Sequence, residues 1–241
     1  MSSFMYQTRV LADRYFEVFL ADLTNLFFLV FQPIAVAACV GAIWQGQRTT
    51  DILYFVILFS SIFFGCVNAC REIVKEKAIY QRERLVGLNL MAYLSSKVFV
   101  LAVMGLAQVI LFYIGIRFFM PLPGNPLLLC MTLYGALLSG SCLGLFVSSV
   151  VATDVVALAC VPICLIPQLL FSELVMPNRA LTGVLALLKN SMIVTWGYLA
   201  MEQIYAQTPD WMAWFKGMGL LGLMSLVLLL LASLGLKTKE I

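Results

Sequence analysis

Hydrophobic residues occur along this chain in long uncharged runs that short charged segments separate. Six runs can be placed from their charged flanks, at residues 23–44, 52–69, 98–116, 126–151, 155–171 and 217–236. A hydrocarbon core about 30 Å thick needs about 20 apolar residues per helix, so runs of this length predict membrane spans. The runs are continuous and lack the alternation of barrel strands, which favours helices. The pattern predicts an all-α membrane protein with six transmembrane helices.

Composition agrees with this class. Hydrophobic residues make up 63% of the chain and charged residues 11%, and the mean hydropathy is +1.01. A soluble domain has about a quarter of its residues charged. An N terminus inside the cell puts ten of the 15 lysines and arginines on the cytoplasmic side. Cytoplasmic loops carry such an excess, so both termini are predicted to be cytoplasmic, and the net charge of +3 indicates topology and not binding of nucleic acid.

The longest charged segment lies between the second and third runs and holds nine of the 27 charged residues. A helix over 71–89 would align Val74, Ala78 and Leu85 in a narrow apolar stripe, with charged residues on the opposite side. Gly87 is predicted to end or bend this helix before the third span. The pattern alone leaves two interpretations open: a cytoplasmic docking helix, or a solvated loop whose basic residues only set the topology.

Residues 1–22 place apolar side chains among regularly spaced charges. This pattern predicts an amphipathic helix that lies along the membrane surface. The alternative is a charged extension of the first span.

Between the fifth and sixth spans the chain is apolar but interrupted. The uncharged segment 180–188 is only nine residues long, and the apolar segment after Lys189 is also too short to span. Irregular backbone at membrane depth persists only where protein buries it or water reaches it. A re-entrant hairpin on the outer side, over residues 173–201, is therefore predicted.

The fourth span carries a face of small residues, with Gly140 and Gly144 in a GxxxG pattern that Ser148 extends. Small faces let helices approach closely. The pattern is compatible with packing inside the bundle and with a dimer seam, and it more often indicates internal packing.

Motifs for catalysis, cofactors and metals are not evident. The chain has no histidine, its seven cysteines lie in or beside the spans, and GxxxxGK[ST] is absent. We therefore predict no catalytic, cofactor-binding or metal residues. The carboxylates lie at or beyond span ends, and no ionisable group is evident inside a span, which argues against a proton-coupled carrier.

The charged segment resembles a known family. The run from Glu76 to Glu83, followed by Gly87 and Tyr93, is similar to the signature between spans two and three of White-like subfamily G ABC transporters and bacterial type-2 exporter permeases. Ala78 and Asn89 depart from that signature. In the family this segment is the coupling helix that contacts the ATPase, and the N-terminal helix is the connecting helix. The resemblance assigns coupling to Glu76, Lys77, Arg82, Glu83, Arg84 and Gly87.

The same resemblance implies a pathway lined by the second and fifth spans of two copies. It suggests an outer gate at Leu174 and Val175, next to a Glu173 that replaces a common glycine. The implied cavity residues are Phe55, Phe59, Phe63, Asn68, Leu158, Pro162, Leu165, Ile166 and Leu169.

The implied protein is a half-size bacterial permease in the plasma (inner) membrane. It would export an amphipathic or lipid-linked substrate from the cytoplasm or inner leaflet by alternating access. ATP and magnesium would bind an ABC-type ATPase subunit or fused domain, so this chain is not expected to be an enzyme itself. Two alternatives remain: a membrane scaffold that recruits a cytoplasmic protein, and a secondary carrier.

Overall fold

The computed structural model describes residues 3–47, 50–172, 175, 183–206 and 208–237. Regular secondary structure in these residues is helical throughout. The helices are α1 (Ser3–Ala21), α2 (Leu23–Trp44), α3 (Asp51–Ala69), α4 (Lys77–Leu85), α5 (Leu90–Phe119), α6 (Pro126–Val150), α7 (Asp154–Leu170), α8 (Val184–Asn190), α9 (Ile193–Tyr205) and α10 (Trp211–Lys237).

Among the described helices, α2, α3, α5, α6 and α10 are long and apolar enough to cross a membrane. The bent pair α8–α9 is a sixth candidate if it forms one broken span. The fifth predicted span corresponds to α7, whose 17 residues extend only about 26 Å at 1.5 Å per residue. The chain is therefore a multi-pass helical membrane protein with five or six candidate spans.

Two predicted spans begin earlier than expected. The third was predicted from residue 98 and α5 begins at Leu90, while the sixth was predicted from residue 217 and α10 begins at Trp211. In each case a lysine was taken as the flank, at Lys97 and Lys216. Both lysines lie inside helices, because lysine has a high helix propensity and a charge that limits an apolar run does not end the helix.

The closest packing in the bundle lies between α3 and α6. A Cβ atom added to Gly65 would lie 2.0 Å from the Leu137 carbonyl oxygen, and one added to Gly140 would lie 2.2 Å from that of Ile62. A Cβ atom added to Gly144 would lie 2.5 Å from the carbonyl oxygen of Cys66, which is on the same helix as Ile62. The interpretation of the GxxxG face as internal packing is therefore confirmed, since these glycines let the two backbones touch.

The N-terminal segment folds as α1 and packs mainly on α5. Its buried residues are Leu11, Ala12, Tyr15 and Phe19, which recur at helical spacing along one face. The α1–α2 junction is capped by Asp22, whose Oδ1 accepts hydrogen bonds from the backbone N–H groups of the second and third residues of α2 at 3.1 and 3.2 Å. Asp22 thus separates α1 from α2, and the position of α1 along the membrane surface stays a prediction.

The charged segment is helical over a shorter range than the predicted 71–89. Residues 70–76 form turns, and α4 extends only from Lys77 to Leu85. The predicted apolar stripe is wrong, because Ala78 is exposed and Leu85 is 88% exposed. The buried side chain of α4 is Tyr80, whose ring packs on an aromatic ring of α5.

Gly87 ends α4 as predicted. Its φ of +96° lies in the region that favours glycine. The Leu88 N–H donates to the Glu83 carbonyl oxygen at 3.1 Å, and the Gly87 N–H donates to that of Arg84 at 3.2 Å. This pair of bonds is a Schellman motif, which satisfies the last carbonyls of α4. Asn89 then caps α5, because its side chain accepts from the Met91 N–H.

The predicted re-entrant segment lies partly outside the described residues. Its described part consists of α8 and α9, whose axes bend by 62° at the break between Asn190 and Ile193. The α9 helix continues to Tyr205, four residues past the predicted end, and packs on α10, α6 and α3. The pair has the length and composition of a broken span or of a re-entrant hairpin.

Candidate functional site

Residues 70–76, here called the elbow, join α3 to α4 and are fixed by the end of α6. The backbone N–H groups of Ile73 and Val74 both donate to Ser148 Oγ, each at 3.0 Å. Turn residues leave such N–H groups without helical partners, and a buried serine satisfies both. The elbow is therefore held on α6 by its backbone.

Beneath the elbow lies a buried ion pair. Lys97 of α5 is 1% exposed, and its Nζ lies 2.7 Å from Glu76 Oε2. The ammonium also lies 3.5 Å from the centroid of the Tyr15 ring of α1, a cation–π contact. A buried charge is tolerated only when it is paired, so Glu76 and Lys97 hold the start of α4 to α5.

A second carboxylate completes this buried cluster. Glu72 is 6% exposed and accepts a hydrogen bond from Tyr15 Oη at 2.5 Å, while Lys75 Nζ lies 3.6 Å from its other oxygen. Burial, and then the nearby charge of Glu72, raise the pKa of Tyr15 well above its ordinary value. The phenol therefore stays protonated and remains a donor to Glu72. We call Tyr15, Glu72, Glu76 and Lys97 the buried cluster.

The α1 helix also holds α4 at its far end. Arg14 forms an ion pair with Glu83, and Gln7 Oε1 accepts from the Asn89 N–H at 3.0 Å. The hydrogen bond to Glu83 raises the pKa of Arg14 further above its ordinary value, so the guanidinium stays charged. These contacts, with Tyr15 on Glu72, join α1 to both ends of the α4 segment.

We expect the Arg14–Glu83 pair to stabilise the fold modestly. The side chains of Arg14 and Glu83 are 44% and 27% exposed, so water screens the pair. Loss of the pair in Arg14→Glu should lower the free energy of unfolding by about 1 kcal/mol or less, apart from the cost of placing a second negative charge beside Glu83. The swapped variant Arg14→Glu/Glu83→Arg should recover that loss. Thermal unfolding in detergent of the single and double variants measures the coupling. Additive losses would mean that the pair contributes nothing.

One face of α4 is largely exposed in the part of the chain that the structure describes. Leu85 and Val86 are 88% and 86% exposed, and Ile79 is 46% exposed. Arg82 is also exposed and occupies the same face at helical spacing. Large apolar residues so far out of contact indicate a surface that another molecule covers. We call Ile79, Arg82, Leu85 and Val86 the outer α4 face.

The structure divides the predicted coupling residues into two groups. Glu76 and Glu83 turn toward the protein and pair with α5 and α1, and Arg84 Nη1 donates to the Leu88 carbonyl oxygen at 2.6 Å. Lys77 is half-buried, and Arg82 is the charged member of the outer α4 face. Gly87 ends the helix. The inward charges position α4, whereas the outward surface is mainly apolar.

Sequence reasoning missed most of the buried cluster. Lys97 was read as a flanking charge, but it lies within α5, seven residues after the helix begins at Leu90. That no ionisable group lies inside the bilayer, and the argument against a secondary carrier that depends on it, stay predictions. A signal was present in α5, where Tyr93 and Lys97 stand four residues apart and therefore share one helix face.

The nine predicted cavity residues do not surround a single cavity in this chain. Asn68 and Leu158 line a cavity of about 350 Å³ near the elbow. Phe55 and Leu165 are buried in the main core, with Phe59 packed against it. The other four are exposed on the surfaces of α3 and α7, at Phe63, Pro162, Ile166 and Leu169.

The predicted outer gate is only partly described. Val175 is 47% exposed and its N–H donates to the Ser172 carbonyl oxygen at 3.2 Å, in a turn after α7. Leu174 and Glu173 lie outside the described residues. The gate assignment stays a prediction.

Comparison with protein families shows what the sequence of this chain is similar to. A family model described as ABC-2 type transporter matches residues 6–206, which include most of α1, the elbow, α4 and the whole buried cluster. No curated protein matches the chain significantly.

Proposed function

The chain belongs to the ABC-2 type transporter family, and on that premise we propose that it is the permease of an ATP-driven exporter of the White-like class. Membership makes it a membrane component of an ABC transporter, and such transporters work with an ABC ATPase. In our proposal the α4 end faces the cytoplasm, both termini are cytoplasmic, and α4 is the coupling helix. The ATPase is a separate subunit or a fused domain.

The observation that carries the proposal is the two-sided character of α4. Its outer face exposes Leu85, Val86 and Ile79, and its inner face is tied by Glu76 and Glu83 to α5 and α1. A partner that docks on the outer face therefore moves an element that is rigidly connected to the helices below. A helix that only set topology would need neither the exposed apolar surface nor the buried ion pair.

The proposed cycle uses these connections. ATP and magnesium bind the partner ATPase and close its two copies, and the α4 helices move with them. Through the buried cluster this displacement reaches α5, and through Ser148 it reaches α6. Because ATP binds one arrangement better than the other, it shifts the equilibrium from an inward-facing to an outward-facing cavity. An amphipathic or lipid-linked substrate then leaves on the outer side.

The exposed face of α7 supports a second copy of the chain. Ile163, Ile166 and Leu158 are 68%, 56% and 42% exposed, next to the exposed Phe63 of α3. This face carries the predicted cavity residues that the single chain leaves uncovered. We propose that two copies enclose the pathway between these faces, in the inner membrane of a bacterium.

The outer α4 face provides the test. Leu85→Ser should reduce the amount of ATPase that co-purifies with the permease from native membranes by about tenfold, because a central apolar interface residue contributes about 1–2 kcal/mol or more. ATP hydrolysis in the purified sample should fall in parallel. Phe118→Ser is the matched control, since Phe118 is 84% exposed at the opposite end of α5.

The outcomes separate the candidate functions. A protein with GxxxxGK[ST] that co-purifies with the permease and with Phe118→Ser, but not with Leu85→Ser, supports the coupling assignment. Recovery of a different protein, without ATP hydrolysis, would support a membrane scaffold. Transport by the permease alone would support a secondary carrier, for which Lys97 is the ionisable candidate.

A further inference from the structure

A cavity of about 350 Å³ lies between the N-terminal half of α2, the end of α3 and the elbow. Its apolar wall includes Phe28 and Phe31 of α2 and Leu158 of α7. Both phenylalanines are about half exposed, so the cavity opens along the outer surface of α2, where the acyl chains of a bilayer would lie. The volume suits a headgroup with the first part of a chain.

Polar groups gather at one end of this cavity. Arg71 follows the end of α3, and Asn25 lies in the first turn of α2, with its Oδ1 at 3.5 Å from Arg71 Nη2. Asn68 also lines the cavity and donates its amide to Gln108 Oε1 at 2.7 Å, while Gln32 lines it about 10 Å further along α2 than Asn25. Phe28 and Phe31 lie about 5 and 9 Å further along α2 than Asn25 at 1.5 Å per residue. A cationic end at the interface therefore leads into an aromatic wall at acyl-chain depth.

The charge of Arg71 is not neutralised by its neighbours. Glu72 is the carboxylate that lines this cavity, and it is already engaged by Tyr15 and Lys75. Glu76 pairs with Lys97. In the part of the chain that the structure describes, none of the ion pairs includes Arg71. The cavity therefore presents the Arg71 cation and the Asn25 amide beside a Glu72 carboxylate that already has partners, and its cationic end is complementary to an anion.

We propose that this cavity binds an anionic amphiphile from the adjoining membrane leaflet. Its phosphate or carboxylate contacts the Arg71 guanidinium and the Asn25 amide, and its chain lies along Phe28 and Phe31. The inference rests on the proposed function in one respect: it identifies anionic lipid-like molecules as the class that the exporter accepts. Of the cavity residues predicted from the sequence, Asn68 and Leu158 line this site, and Arg71 adds a cationic end.

The test uses the full chain in phosphatidylcholine nanodiscs that contain phosphatidylglycerol as a minor component. After transfer to mild detergent, native mass spectrometry measures the retained lipids. We expect phosphatidylglycerol to be retained about tenfold over phosphatidylcholine, as a charge-assisted contact would give. Arg71→Gln should remove the preference and Arg71→Lys should keep part of it. The control Arg9→Gln removes an exposed cation from α1 and should match the unmodified chain.

A second variant guards against misfolding of Arg71→Gln. Asn25→Asp leaves Arg71 in place but puts a carboxylate beside its guanidinium, and it should also abolish the preference for phosphatidylglycerol. Equal retention of phosphatidylglycerol by the unmodified chain and by both cavity variants would overturn the proposal. Displacement of the lipid by excess inorganic phosphate would also overturn it, because the site would then select a free anion.

The lipid measurement and the ATPase measurement fail independently. If the ATPase co-purifies but the preference is absent, the anionic site is wrong while the permease assignment stands. If the preference depends on Arg71 but no ATPase binds, the site stands and the exporter assignment is wrong.

Discussion

Replacing Lys97 with methionine is expected to destabilise the protein by about 3 kcal/mol, because it leaves the Glu76 carboxylate, whose side chain is 20% exposed, without its partner. Methionine keeps most of the apolar stem, so little of this loss comes from packing. Thermal unfolding in detergent measures the effect. Because Glu76 begins the α4 segment, the same variant should also lower ATP hydrolysis by the complex with the ATPase.

The double variant Lys97→Met/Glu76→Gln separates the charge from the cavity. It removes both members of the pair, and we expect it to recover most of the lost stability. It should not recover coupling if the ion pair transmits the movement of α4 to α5. Lys216→Met is the matched control, since Lys216 is exposed on α10 and takes part in none of the ion pairs among the described residues. If Lys97→Met were as stable as this control, the buried cluster would have no structural role.

Replacing Gly140 with alanine is expected to destabilise the α3–α6 contact by about 3 kcal/mol. The added Cβ would lie 2.2 Å from the Ile62 carbonyl oxygen, and backbone cannot move aside as a flexible side chain can. The two helices would have to separate along the whole seam, including Gly65 and Gly144. Thermal unfolding and proteolysis of the purified protein measure the loss.

Gly219 offers a control of the same chemistry. A Cβ at this position in α10 meets no atom within 4 Å, so Gly219→Ala should be neutral or slightly stabilising through helix propensity. The contrast between the two alanine variants isolates the steric contact. If both variants unfolded at the same temperature, the close approach of α3 and α6 would be wrong. A dimer seam at Gly140 would instead show as a change in oligomeric state.

The charged segment illustrates how far pattern alone reaches. Its helix, its end at Gly87 and its position between two spans follow from local spacing and from the φ that glycine permits. The pattern did not show which side of this helix faces the protein, because Val74, Ala78 and Leu85 count equally as apolar residues. The long-range contact of Tyr80 with α5 and the ion pair of Glu83 with Arg14, 69 residues away, decided the orientation.

The pathway residues show the same limit. Helical spacing on α3 and α7 correctly identified two apolar helices, but Phe55 turned into the core and Phe63 out of it. In a span that is hydrophobic all round, the spacing of apolar residues gives little information on which helix face packs against the protein. The cavity near the elbow is also lined by Asn25 and Gln32 of α2 and by Arg71 of the elbow. Local spacing does not bring α2 and the elbow together, because they are far apart along the chain.

By itself the sequence determined the class of protein, the approximate places of its helices and the family signature, because long apolar runs, caps and turn residues act over a few residues. Only the tertiary structure decided which charges are buried. Lys97 appeared to be a flanking charge until the elbow brought Glu76 to within 2.7 Å of its Nζ. A lone lysine is costly at such a position, and its tolerance depends on a partner that chain folding, not local spacing, brings beside it.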